Sequence, residues 1–252
     1  MAGGQLINVP YLEDETKDSL AARVFVPNQY SPLYKYGILY VFDGLDYLSN
    51  GRLQTLIERE FGDRLPFLIA LLPITAALRE AAYHPEGIRH ERHLHAIARG
   101  LVRTLESEYT LIPLGSARGL LGSSLGASMA FSLATTYPKR FRYLAMQSPY
   151  LPEAQGKKWH ELTKATMVGC EADIFIGDEE HNGTLKNGQV HDYIRDARKY
   201  ESGLIESGCH VKFHLRKGDH TWGAWQEDLP VILHTFASQV RLQEGDSTHT
   251  HT

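Results

Sequence analysis

Short apolar runs alternate with amphipathic stretches along most of the chain. Residues Ala21–Pro27, Tyr36–Phe42, Phe67–Leu72, Gly119–Leu121, Arg142–Met146, Ala172–Ile176 and Val211–Leu215 read as strands. Several are continuously apolar instead of alternating, the pattern of strands covered on both faces. Between them lie helical stretches. Arg52–Phe61 is one, and His90–Glu108 carries Leu94, Ile97, Leu101 and Leu105 near helical spacing. His191–Ser207 is another, with Gly208 as its C-terminal cap. Strand–helix alternation of this kind predicts an α/β fold, a mostly parallel sheet flanked by helices. Neither a repeat nor a linker composition divides the chain. The expectation is one domain over residues 1–243 and a polar, disordered tail over 244–252.

Composition narrows the function classes. A net charge of −4 over 252 residues, without a basic stripe, argues against nucleic acid as a partner. No apolar run approaches the roughly 20 residues of a membrane span. The start, Met1 to Gln5, lacks the basic and apolar regions of a secretory signal, so a cytoplasmic protein is expected. Cys170 and Cys209 each stand two residues ahead of a predicted strand. If those strands are parallel neighbours, the two thiols meet at one edge. In a reducing compartment they are expected to be free and buried.

Gly122-Ser123-Ser124-Leu125-Gly126 has the form G-x-S-x-G centred on Ser124, between a strand-like and a helix-like segment. Strand, tight turn and helix together make a nucleophile elbow. Centring on Ser123 leaves no glycine two residues later. A serine hydroxyl needs a base, usually a histidine held by a carboxylate, and the α/β-hydrolase order is serine, acid, histidine. Gly177-Asp178-Glu179-Glu180 supplies carboxylates after one strand, and Lys217-Gly218-Asp219-His220-Thr221-Trp222 supplies His220 after the last. Both follow strands at the edge that carries the elbow, where open α/β sheets bind ligands. The developing oxyanion needs N–H donors. The Leu125 amide is one, and the turn Asp43-Gly44-Leu45 after an early strand offers a second, the Leu45 amide.

These residues give the chain a resemblance to the putative-esterase family of α/β-hydrolases, which includes esterase D, feruloyl esterases and enterochelin (siderophore) esterases. The resemblance runs from about Gln5 to Val240. It rests on Val26-Pro27, Phe42-Asp43-Gly44, Arg79-Glu80 before Tyr83, and the elbow. Further matches are Tyr137-Pro138-Lys139-Arg140-Phe141, Ser148-Pro149, and Gly218-Asp219-His220-Thr221-Trp222 with Trp225. Two positions depart from the pattern: Ala127 stands for a second glycine after the elbow, and Asp219 for the glycine before the histidine. The family's spacing of the acid implies Glu180, with Asp178 as the alternative.

The resemblance implies a serine ester hydrolase acting on a small-molecule ester, with neither cofactor nor metal. It leaves open siderophore trilactones, feruloyl or acetyl sugar esters and simple acyl esters, with a lean toward a siderophore-type or general carboxylesterase. An acyltransferase of the same fold is the alternative, and a non-catalytic binding protein is the rival from a different class. Asp43, Arg79 and Trp222 are candidates for touching substrate, Trp225 is expected in the core, and a monomer and a homodimer both remain open. His90, His93 and His95 share a helix start but lack a carboxylate or cysteine signature, so an exposed helical face is expected there instead of a metal site. The segment Tyr150–Lys164 is where a short cap would select substrate.

Overall fold

The computed structural model describes residues 4–13, 18–153, 166–184 and 188–246. Among them, eight strands form one sheet in the order β1-β2-β4-β3-β5-β6-β7-β10. These are β1 (Gly4–Glu13), β2 (Asp18–Pro27), β3 (Gly37–Phe42), β4 (Phe67–Leu72), β5 (Arg118–Ser123), β6 (Tyr143–Gln147), β7 (Glu171–Gly177) and β10 (His210–Arg216). A separate two-residue pair, β8 (Gly183–Thr184) and β9 (Val190–His191), is antiparallel.

From β4 to β10 the sheet is parallel. Strands β3 and β4, buried along their whole length, are continuously apolar runs of the sequence, and β5 is buried throughout as well. One apolar cluster covers each face. One side packs helix α4 (His90–His95), the segment that follows it, α6 (Leu125–Thr136) and α7 (Tyr193–Glu206). The other packs α2 (Leu53–Phe61) and α8 (Trp222–Asp246).

Several elements differ from the sequence expectation. The first two strands form an antiparallel hairpin, and β2 also runs antiparallel to β4. Strand β1 was not foreseen, because its alternation is broken by Asn8 and Pro10; a proline is tolerated there because β1 is an edge strand. Two short helices also escaped, α1 (Gly44–Ser49) and α3 (Ala76–Tyr83). The predicted helix His90–Glu108 is continuous but not uniform: α4 passes into a π-helical segment, Ala96–Leu101, and then α5 (Val102–Glu108). Residue 191 lies in β9, and the helix after it begins at Tyr193. Helix α8 runs into the predicted tail as far as Asp246. Residues 247–252, with His249 and His251, and most of the predicted cap lie outside the described residues.

Strands β7 and β10 are parallel neighbours with Glu171 opposite His210, so Cys170 and Cys209 do meet at one edge. Both are buried and free, and the Cys209 thiol donates to the Cys170 carbonyl at 3.3 Å. The adjoining Cys209 thiol and burial both push the Cys170 pKa up, which keeps it an unreactive thiol.

Candidate active site

Ser124 closes β5 with φ 52° and ψ −125°, a backbone conformation that costs a non-glycine residue on the order of 1–3 kcal/mol. Neighbouring strands hold it there. Its N–H donates to the Gln147 carbonyl at 2.9 Å, and its carbonyl accepts from the amides of Ala127 at 3.1 Å and Tyr150 at 3.3 Å. The flanking glycines are required by close approach. A Cβ on Gly122 would stand 2.3 Å from the Gly126 carbonyl oxygen, and one on Gly126 would stand 2.7 Å from Asp43 Oδ2. Helix α6 begins at Leu125, so the Leu125 amide belongs to a first turn, where N–H groups lack intrahelical acceptors.

The turn after β3 is built the same way. Asp43 sits in the left-handed region at φ 54°, and its carbonyl accepts from Asp46 and Tyr47, which starts α1. The amides of Gly44 and Leu45 are therefore first-turn donors as well. A side chain at Gly44 would strike Leu71 Cα at 2.7 Å, so glycine lets this turn lie against β4. Arg79 on α3 clamps the Asp43 carboxylate through two 2.8 Å hydrogen bonds, and the Tyr83 hydroxyl accepts the Asp43 N–H at 3.3 Å. The charges of Asp43 and Arg79 are thus engaged with each other.

The loops after β7 and β10 come together at Gly177, where a Cβ would stand 2.1 Å from the Gly218 carbonyl oxygen. Asp178 and Glu180 have different partners there. Asp178 accepts the Gly218 N–H at 3.1 Å and is exposed. Glu180 is 1% exposed and its Oε2 is 2.7 Å from His220 Nδ1. Its other oxygen accepts from the Gly177 N–H at 2.8 Å and from the Ser148 hydroxyl at 2.7 Å, with Arg216 at 3.6 Å. Ser148, itself at φ 44°, accepts the Trp225 indole N–H at 2.8 Å.

The family model Esterase, described as Putative esterase, matches residues 14–236. The chain belongs to this esterase family. YjcH, an uncharacterised protein of Bacillus subtilis strain 168, is 30% identical to the esterase over 228 residues, covering 88% of this chain and 93% of that one. Solved structures share the fold. The enterobactin esterase FES of Shigella flexneri superposes with a TM-score of 0.73 at 14% identity, over 92% of this chain and 59% of that one. This esterase therefore spans about three-fifths of that protein's length. A CE1 ferulic acid esterase of Anaeromyces mucronatus, solved with ferulic acid, gives 0.70 at 15% identity over 94% and 92%. An IroE-like serine hydrolase of Shewanella oneidensis gives 0.68 at 17% over 92% and 79%.

In the esterase the sequence-predicted residues fall into two groups around Ser124, and residues that sequence reasoning missed connect them. Tyr193, at the start of α7, stacks on the His220 ring with centroids 4.0 Å apart and 28° between planes. Burial first, then the nearby Tyr150, Glu180 and Asp196, raise the pKa of its phenol, and the neighbouring Ser124 side chain works against them. Ser124 and His220 are thus both neighbours of one tyrosine. Gln147, fully buried, accepts from the Tyr47 hydroxyl at 2.7 Å and donates to the Trp225 carbonyl at 2.8 Å, tying the α1 turn to the histidine loop. Ser148 had a signal, the Ser-Pro match; Tyr193 and Gln147 had none, since both act through contacts across the sheet edge.

Trp222 is half-buried, packed edge-on against Tyr47 and Trp225, and Trp225 is in the core as expected. The expectation of an exposed histidine face on α4 is corrected. His90 and His93 are 4% and 5% exposed, because α4 packs that face against the sheet and α3. His90 Nδ1 meets the Ala82 carbonyl at 3.0 Å, and His93 packs on Tyr83. Among the described residues, no group of three or more His, Cys, Asp or Glu side chains is placed to hold a metal, and no helix is long and apolar enough to cross a membrane.

Proposed function

We propose that this esterase hydrolyses carboxylic esters through an acyl-enzyme on Ser124. His220 Nε2 removes the Ser124 proton as Oγ bonds to the ester carbonyl carbon. The carbonyl electron pair moves to oxygen, where the amides of Leu125 and Leu45, with Gly44 in the same turn, receive it. Collapse breaks the bond to the alkoxy oxygen, which takes the proton from His220 and leaves as alcohol. Water then repeats the sequence, giving its proton to His220, and the acid departs as Ser124 is restored.

The observation that carries this reading is the 2.7 Å contact from His220 Nδ1 to a carboxylate that is itself buried and hydrogen-bonded twice. Such a carboxylate fixes the tautomer with Nε2 free to act as base and stabilises the imidazolium. Glu180 takes this role, and Asp178 pins the loop. Asp43 and Arg79 position the α1 turn instead of touching substrate.

The test is hydrolysis of p-nitrophenyl acetate by the wild type and Ser124→Ala. The variant should lose activity by on the order of 10^4-fold or more. Equal rates would overturn the mechanism. Transfer of the acyl group to an added alcohol in preference to water would make the protein an acyltransferase at the same site.

A further inference from the structure

A cavity of about 330 Å³ opens beside the α1 turn. Its volume is at the small end of the range for small-ligand sites, about 300–1,000 Å³. Leu20, Leu45, Ile74, Leu78 and Ala82 supply apolar walls, with His93 behind them. Arg89 brings the one charged side chain of the lining.

We infer that this cavity holds the acyl part of the substrate, and that the part is an unbranched aliphatic chain. The inference rests on the proposed esterase mechanism and deepens it. Its geometric basis is the order of the sheet. Ser124 follows β5, His220 follows β10 on one side, and the cavity lies on the other, beyond β3 and at β4 and the start of β2. His220 must protonate the departing alkoxy oxygen, so the alcohol part of the ester faces the β10 side. The acyl substituent takes the opposite direction from the same carbonyl carbon. Leu45 joins the two, since its amide faces the carbonyl oxygen and its side chain lines the cavity.

The lining chooses the chemical class. The rings of Tyr150, Tyr193, Trp222 and Trp225 group with His220 on the other side of Ser124, and none of them lines the cavity. The cavity walls are mostly aliphatic, and the one aromatic ring among them, His93, is kept neutral at neutral pH by burial, with a pKa lowered to about 4. Aliphatic walls reward methylene burial and offer little face for stacking an aromatic ring.

The experiment is a kcat/KM series on p-nitrophenyl esters from acetyl to octanoyl, with the benzoyl ester and an acyl chain ending in a carboxylate as further arms. The wild type should gain up to about fourfold per methylene through hexanoyl. Leu78→Glu places a charge in the wall at a position 36% exposed, where folding tolerates it. It should flatten the series, lowering octanoyl turnover more than acetyl turnover. As a readout independent of turnover, Ser124→Ala protein should bind octanoate more tightly than acetate in ligand-observed NMR, and adding Leu78→Glu should abolish the difference. Acetyl turnover with a flat series, or preference for the benzoyl or carboxylate-ended chain, would overturn the acyl cavity and leave the esterase mechanism standing. Octanoate binding lost on adding Leu78→Glu, without hydrolysis of any ester, would support the cavity and overturn the mechanism. Failure of both turnover and octanoate binding would overturn both.

Discussion

Arg79 grips Asp43 through two parallel hydrogen bonds of 2.8 Å, Nε to Oδ1 and a terminal nitrogen to Oδ2. Asp43 is the left-handed residue immediately before the α1 turn, so the pair fixes the point from which the Gly44 and Leu45 amides are aimed. The same carboxylate explains why Gly126 has no side chain, since a Cβ there would press on Oδ2. A charged pair thereby ties the two proposed oxyanion donors together.

Replacing Arg79 with methionine leaves Asp43 charged, with its side chain 4% exposed. The expected cost is about 2–3 kcal/mol, below the figure for a wholly buried pair because the Arg79 side chain is 26% exposed. Urea midpoints should show that loss, and Asp43→Asn added to Arg79→Met should recover part of it. On p-nitrophenyl acetate, kcat should fall more than KM rises. An unchanged kcat would remove the pair from the positioning of the turn.

The two carboxylates of the Gly177 loop give a sharp contrast. Glu180→Gln keeps the size but permits the wrong imidazole tautomer, so kcat should fall by on the order of 10^3–10^4. Asp178→Asn, which still accepts the Gly218 N–H, should change kcat by no more than a few fold. The reverse order in steady-state kinetics would exchange their roles.

Ser148 joins Trp225 to Glu180 in a chain of hydrogen bonds. Ser148→Ala orphans a buried indole N–H and removes one donor to the acid. The expected loss is about 1–3 kcal/mol of stability, read as a lower denaturation midpoint, with a reduced kcat on p-nitrophenyl acetate. Stability equal to wild type would show that the chain is not coupled.

His93 makes acid stability measurable. Burial first, then the neighbouring His90 and Arg89, lower its pKa from 6.5 to about 4. The unfolded chain therefore binds a proton that the folded protein refuses. The associated stability is fully present above pH 6.5 and is lost as pH falls from there through about 4. Between pH 7 and 4.5 the wild type should lose about 2 kcal/mol more than His93→Gln, compared by urea unfolding at both pH values. Parallel losses in the two proteins would place the titration elsewhere.

The chain's own pattern determined the layered α/β fold, because continuous apolar runs such as Phe67–Leu72 are stable only between two covering layers. It also determined the order of Ser124, the Gly177 loop and His220, because strain at the elbow and turns at strand ends demand particular residue types. Edge strand β1 was illegible, since a half-exposed strand with Pro10 leaves little periodicity. The burial of His90 and His93 was equally hidden, since a histidine carries no mark of which helix face will be covered. Only the tertiary structure separated Glu180 from Asp178, paired Arg79 with Asp43 and brought Tyr193 onto His220. Each of those contacts joins segments distant along the chain, and its distance is set by how the sheet packs its layers and not by any local preference.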